Sequence, residues 1–337
     1  MADTVLVTGG TGFIAGWCIL ELLRRGYTVR TTLRDASKAN RVRAAIANAG
    51  IDRSGASSPA LTFFQADLTR DDGWETAITG CDYVLHVASP LGGGPNDNKD
   101  SLIAPARDGT LRVLKAAVNA NVKRVVMTSA AAAARPPLDS KQPSNETVWS
   151  DPNDPQFDAY RKSKILAERA AWDFMTLEGG KTEFTTILPG AVFGPVLSTD
   201  TLGSVRIIQG LLQGQPKALP RIGFWIVDVR DLAELHIRAM SAPAAAGERF
   251  IAAGEFMWMQ EIANTLCVQL GSVAANVPTR RLPNLLVKLL LPFLPNLKGL
   301  APLLGRQFPL TSEKARRVLG FTPRAAATTI VECAQSL

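Results

Sequence analysis

The sequence predicts a doubly wound α/β fold: a parallel sheet with helices on both faces and a smaller, mainly helical C-terminal lobe. Three observations predict it. Strand-length apolar runs alternate with helix-length segments through the first half of the 337 residues. A glycine-rich turn follows the first of those runs directly. After Leu188 the alternation stops, and Gly, Pro and Leu take over.

The β-rich runs are Thr4 to Val7, Thr28 to Leu33, Leu61 to Gln65, Tyr83 to Val87, Arg124 to Thr128 and Thr185 to Leu188. Near-continuous apolar runs are what strands buried on both faces require. Between them lie Phe13 to Arg25, Ser37 to Ala49, Gly73 to Ile78, Leu102 to Asn119 and Asp158 to Leu177, each of helix length. Repeated strand and helix imply right-handed crossovers and a parallel sheet. A further strand-to-helix unit at Trp225 to Met240 is expected to return to that sheet. The main domain then covers 1–190 plus about 223–253, and the lobe about 191–222 and 254–337.

Composition narrows the function classes. A chain of this length, 46% hydrophobic, can bury a core without staples. Cys18, Cys81, Cys267 and Cys333 lie far apart, which excludes a disulfide scaffold and fits a reducing, cytoplasmic setting. Two histidines without ligand spacing predict no metal site. The surplus of 37 basic over 30 acidic residues is scattered, so no nucleic-acid partner is expected, and a few cations holding an anionic cofactor would account for it. Met1-Ala-Asp-Thr runs straight into a strand, without the cationic segment of a secretory signal. Leu282 to Leu304 is rich in Leu but broken by Pro283, Pro292, Pro295, Pro302, Lys288 and Lys298. A span needs about 20 mostly uninterrupted apolar residues. Short core or pocket-wall helices are expected instead, and no membrane partner.

Two motifs carry chemistry. The first is Val5-Leu-Val-Thr-Gly9-Gly-Thr-Gly12-Phe-Ile-Ala15, a strand ending in a glycine turn that opens a helix. The glycines allow the turn and let backbone approach a pyrophosphate, whose charge meets the helix N-terminus. At the head of the first βαβ unit this makes Gly9, Thr11, Gly12, Phe13 and Ile14 dinucleotide-binding candidates. The second strand ends Leu33-Arg34-Asp35, with Lys38 a turn further. Arg34 can fork onto a ribose 2′-phosphate and Lys38 adds a point charge, which favours NADP(H). Asp35 either serves an NAD ribose or caps the next helix.

The second motif is Tyr160-Arg-Lys-Ser-Lys164. Residues i and i+4 share a helix face, so phenol and ammonium project together. An adjacent cation favours the phenolate and would draw the phenol down from about 10. The pair would then work as a general acid and base near neutral pH.

These residues resemble the extended short-chain dehydrogenase/reductase family, in its dihydroflavonol-reductase-like and aldehyde (carbonyl) reductase branch. The likeness also runs through Ala66-Asp67-Leu68, His86-Val-Ala-Ser-Pro90, Val125 to Ser129, Leu188 to Pro195, Val227 to Asp231 and Val318 to Phe321. It implies a Rossmann sheet and the reduction of an aldehyde or ketone, with Tyr160 protonating the carbonyl oxygen and Lys164 holding the nicotinamide ribose. By the same likeness Asp67 and Leu68 lie near adenine, Val87, Ala88 and Ser89 on the ribose side, and Pro189, Gly190 and Val192 at the nicotinamide.

Two positions depart from the pattern. The branch reads Thr-Ser-Ser after the fifth strand; here it is Thr128-Ser129-Ala130. Either Ser129 supplies the catalytic hydroxyl through a small backbone shift, which is the expectation adopted, or alanine leaves catalysis impaired. Asp108 stands where the branch often has a relay asparagine, and an ionised carboxylate cannot donate. His86 and His236 read as packed histidines, and Cys18 and Cys81 as small buried hydrophobes. Trp225, Phe224 and Phe193 suit an apolar pocket or the core equally, and Leu91-Gly-Gly-Gly-Pro95 a flexible rim. The expected protein is an NADP(H)-dependent carbonyl reductase, monomer or homodimer, acting on a small apolar or aromatic carbonyl. A nucleotide-sugar epimerase or dehydratase and a catalytically impaired NADP-binding sensor are the alternatives.

Overall fold

A computed structural model describes residues 2–50, 60–90, 102–198, 202–290 and 301–337. Val5 to Val7, Val84, Leu85, Val125 and Val126 are wholly buried, because the strands that carry them are covered on both faces. The strands are β1 (Thr4–Val7), β2 (Thr28–Leu33), β3 (Leu61–Gln65), β4 (Tyr83–His86), β5 (Arg124–Thr128) and β6 (Glu183–Pro189). They are followed by β7 (Ala191–Phe193), β8 (Leu219–Pro220), β9 (Gly223–Asp228), β10 (Glu248–Ala252), β11 (Phe256–Trp258) and β12 (Arg281–Leu282). Seven of them form a parallel sheet in the order β10-β6-β5-β4-β1-β2-β3. The chain reverses its direction of travel between β1 and β4, which opens a crevice at the carboxyl ends of the strands.

The helices, in chain order, are α1 (Phe13–Arg24), α2 (Ala39–Asn48), α3 (Trp74–Ile78), α4 (Ile103–Asn119), α5 (Ala159–Glu178), α6 (Val205–Leu212), α7 (Val229–Ser241), α8 (Met259–Leu270), α9 (Asn284–Leu290), α10 (Glu313–Leu319) and α11 (Ala326–Gln335). Helices α1, α2, α7 and α10 share one apolar core with the sheet; α3, α4 and α5 share another on the opposite face. A third core, built from Phe193, Ile208, Leu211, Ile262, Leu266 and Ile330 among others, belongs to the lobe.

The expected domain boundaries need adjustment. Strand β9 does not enter the main sheet. It pairs with β7 and β11 in a separate three-stranded sheet, and only α7 and β10 return. Conversely α10, assigned to the lobe by position, buries Ala315 and Leu319 in the main core. Loop Leu91 to Pro95 lies outside the described residues.

Candidate active site

The first wall of the site is the turn from β1 to α1. Gly9 sits at φ +75, a left-handed conformation that favours glycine. A side chain on Gly10 would bring its Cβ within 2.5 Å of Thr31 Oγ1. The turn is pinned by Gly9 N donating to Thr32 Oγ1 (3.0 Å) and Gly10 N to Thr32 O (2.9 Å). Gly12 then opens α1 with no capping side chain and no acid in the first turn. The helix N-terminus therefore presents its N–H groups and positive dipole end uncontested, the arrangement an anion needs. Thr11, Phe13 and Ile14 are half-buried along this mouth. A cavity beside them is lined by Gly10, Thr11, Gly12, Arg41 and Ser198. Arg41 was missed by the sequence reading, although it lies three residues beyond Lys38 on the same helical segment.

The end of β2 resolves the ambiguity over Asp35. Its Oδ1 accepts from Ser37 N (3.0 Å) and Ser37 Oγ (2.6 Å), so it caps the following 3-10 turn, and those bonds hold its carboxyl below the usual range. Arg34 and Lys38 are exposed, and among the described residues neither forms a salt bridge. Two unpaired cations beside an open helix N-terminus fit a cofactor bearing a 2′-phosphate and a pyrophosphate. Asp67 turns its Oδ1 onto Thr69 N and Oγ1 (both 2.8 Å), leaving the half-buried Asp67-Leu68 backbone at the edge of the crevice.

Val87 and Ala88, leading into Ser89, are held by a buried knot. Thr8 Oγ1 accepts from Val87 N (3.0 Å) and Ala88 N (2.9 Å), so its own proton goes to His86 Nδ1 (3.0 Å). Thr110 donates to Ala106 O (2.8 Å) and accepts from His86 Nε2 (3.2 Å), which fixes the neutral tautomer. Burial, with Lys164 adding to it, pushes His86 down to about 3. His86 is a packed histidine, as expected.

Tyr160 and Lys164 lie one turn apart at the start of α5, which Asp158 caps by accepting from Arg161 N (2.8 Å). Lys164 is buried, and its Nζ donates to Thr128 O (3.0 Å). Burial pulls its ammonium down to about 8 while Glu168 opposes. Tyr160 departs from expectation. Burial raises its phenol, Arg161 opposes and Asp158 adds. The phenol is therefore raised by burial, where the spacing alone predicts a lowering.

Ser129 is a clear correction. Its hydroxyl is buried and donates to Glu168 Oε2 (2.6 Å) rather than facing the crevice. Glu168 is wholly buried, and both its oxygens are occupied: Oε1 by Thr186 Oγ1 (2.8 Å) and Arg249 Nε (2.9 Å), Oε2 by Ser129 and Arg249. Ser129 is therefore a structural ligand of a buried ion pair. Successive residues of an extended strand point to opposite faces, and the extended, half-exposed neighbour Ala130 takes the outward position with a methyl group. The sequence did carry a signal for this network, since Tyr160, Lys164 and Glu168 recur at four-residue intervals. Asp108, for its part, is engaged at the surface by Arg107 Nε (2.7 Å).

On the far side Pro189 ends β6, Gly190 N donates to Ala252 O (2.9 Å), and Val192 is buried. Ala191 pairs with Ile226, which sets Trp225 beside Gly190. The Trp225 indole donates to Phe308 O (2.7 Å) and borders an apolar cluster that includes Ala130, Phe157 and Leu188. Phe193 is wholly buried in the lobe core, and the half-buried Phe224 packs edge-on against it. Among the described residues no group of side chains could hold a metal.

A profile of the NAD dependent epimerase/dehydratase family matches residues 5–253. The chain belongs to that family. Cinnamoyl-CoA reductase 1 of Petunia hybrida is 35% identical over 270 residues, covering 78% of this chain and 76% of that protein. Ketoreductase azaE of Aspergillus niger is 32% identical over 358 residues, 100% of this chain and 98% of that one. Among solved structures, the yeast methylglyoxal/isovaleraldehyde reductase Gre2 complexed with NADPH aligns with TM-score 0.82 and 26% identity, covering 99% of this chain and 97% of Gre2. This family member is an oxidoreductase that uses NADP(H).

Proposed function

We propose that the chain reduces a small aldehyde or ketone with an apolar or aromatic substituent, Tyr160 supplying the proton. The observation that carries this reading is Lys164 Nζ donating to Thr128 O at the carboxyl end of β5, with Tyr160 one turn earlier on α5, in a fold whose α1 N-terminus is uncapped. The relatives and the solved neighbour, named as reductases of carbonyl compounds, support the reaction class.

When bound, the nicotinamide supplies hydride to the carbonyl carbon. Tyr160 would give its phenol proton to the carbonyl oxygen as the carbon is reduced, leaving the alcohol. A phenol raised by burial remains protonated at neutral pH, which suits the acid required in this direction. Lys164 offers its remaining N–H bonds to the cofactor ribose. Thr8 and His86 fix the backbone of Val87 and Ala88 without exchanging protons. Trp225 and Ala130 give the substrate side an apolar border.

The test is oxidation of NADPH and of NADH with a panel of aromatic and aliphatic aldehydes, ketones and diketones, with Tyr160→Phe alongside. Turnover that prefers NADPH and falls by about 10²–10⁴ in the variant is expected. NADPH binding without turnover of any carbonyl would overturn the reading.

A further inference from the structure

One surface of the lobe is unlike the rest of the molecule in charge. Between Glu261 and Glu313 the chain has no acidic residue, and between Asp200 and Asp228 it has none either. The fold brings these stretches together. Strand β12 pairs with β8, Leu219 N donates to Arg280 O (2.8 Å), and Gly305 N donates to Arg221 O (2.6 Å). Lys217, Arg221, Arg280, Arg281 and Arg306 are consequently gathered and exposed.

Among the described residues none of these five forms a salt bridge; Arg221 rests on the Trp258 ring at 5.0 Å. Glu261, the acid closest to them along α8, accepts from Trp258 N (2.8 Å). Elsewhere, exposed arginines such as Arg25, Arg70 and Arg238 are paired with carboxylates. From this cationic patch runs α9. Its Val287 is buried, whereas Leu285, Leu286 and Leu289 are 71%, 43% and 61% exposed. Positions i, i+1 and i+4 fall on one side of a helix. These leucines are not the core residues expected of them.

We propose that this face docks on an anionic lipid bilayer, with the three leucines entering the acyl boundary and the five cations meeting negative headgroups. The charges decide among the possible occupants. A second copy meeting it face to face would set cations against cations. Residues 291–300 of the chain bring Lys298 and no acid, so they cannot neutralise the patch. An anionic bilayer satisfies the apolar and the charged halves together. The contact is with a surface, since no helix among the described residues is long and apolar enough to cross a membrane. It revises the expectation of no membrane partner and is independent of the proposed reduction.

The test is sedimentation of the full chain with vesicles of pure phosphatidylcholine and with vesicles containing about 30 mol % phosphatidylglycerol. Binding to the anionic vesicles is expected to exceed binding to neutral ones by about tenfold or more and to be lost at about 0.5 M salt. Arg280→Glu/Arg281→Glu should abolish it, and Leu285→Ser/Leu289→Ser should reduce it about tenfold, both with unchanged melting temperature and NADPH binding. Equal or no binding to the two vesicles would overturn the proposal. So would a leucine variant that melts lower without any vesicle binding, which would mean the face is covered by the chain itself. A dimer dissolved by that variant, again without vesicle binding, would assign the face to a second copy.

Discussion

The interior behind β5 and the mouth at α1 handle charge in opposite ways. Behind β5, Glu168 and Arg249 are buried, and every carboxylate lone pair is taken by Ser129, Thr186 or Arg249. At the mouth, the α1 N-terminus has no cap, and Arg34 and Lys38 have no salt-bridge partner among the described residues. A charge withdrawn from water must be paired at once or it destabilises the fold. A charge left at the rim can wait for a ligand. The comparison separates structural polar groups from functional ones more sharply than residue type does, and Ser129 is the residue it reclassifies.

The largest effect that would sharpen this contrast lies in the interior. Glu168→Gln should cost about 3–5 kcal/mol of stability, because it leaves the Arg249 guanidinium buried without its counter-charge. Glu168→Gln/Arg249→Met should cost less than the sum of the single changes, as read by urea denaturation in a double-mutant cycle. Additive costs would break the claim that the two form one unit.

Next in size is the response to acid. His86 and His236 are buried and pushed down to about 3 and about 4, chiefly by burial. His236 accepts from Thr128 Oγ1 at Nε2 (2.7 Å) and donates from Nδ1 to Leu232 O (2.8 Å), so it too is neutral. A depressed histidine is protonated first in the unfolded chain. Stability should therefore fall as pH drops from about 6.5 toward 4, by about 1.4 kcal/mol per unit for each histidine. His236→Gln should roughly halve the slope measured by denaturation between pH 6.5 and 5. An unchanged slope would mean that these residues do not set it.

The smallest effect tests the boundary between the two regions. Ala130→Ser should raise kcat about tenfold, roughly 1.4 kcal/mol of barrier, by placing a hydroxyl at the outward position. Ser129→Ala should instead cost about 1 kcal/mol of stability with little change in kcat. If Ser129→Ala abolished turnover at full stability, the assignment of the two positions would be reversed.

Much of the molecule was legible in the sequence because its signals are local. Apolar runs of strand length marked β1 to β6, and glycine chemistry marked the mouth. Four-residue spacing put Tyr160 and Lys164 on one face of a helix, and geometry alone fixes that. Other features depend on distant chain. Glu168 takes its counter-charge from Arg249, 81 residues away, and strand β9 chooses partners on either side of it in sequence, β7 and β11. The direction of Ser129 and Ala130 was settled by how β5 lies against α5, since a one-residue difference in an extended chain exchanges the two faces. The sequence by itself determined which residues could perform the chemistry, through spacing along single elements. Only the tertiary structure decided which hydroxyl, carboxylate and cation are already spoken for, because partners in three dimensions are assigned by packing and not by periodicity.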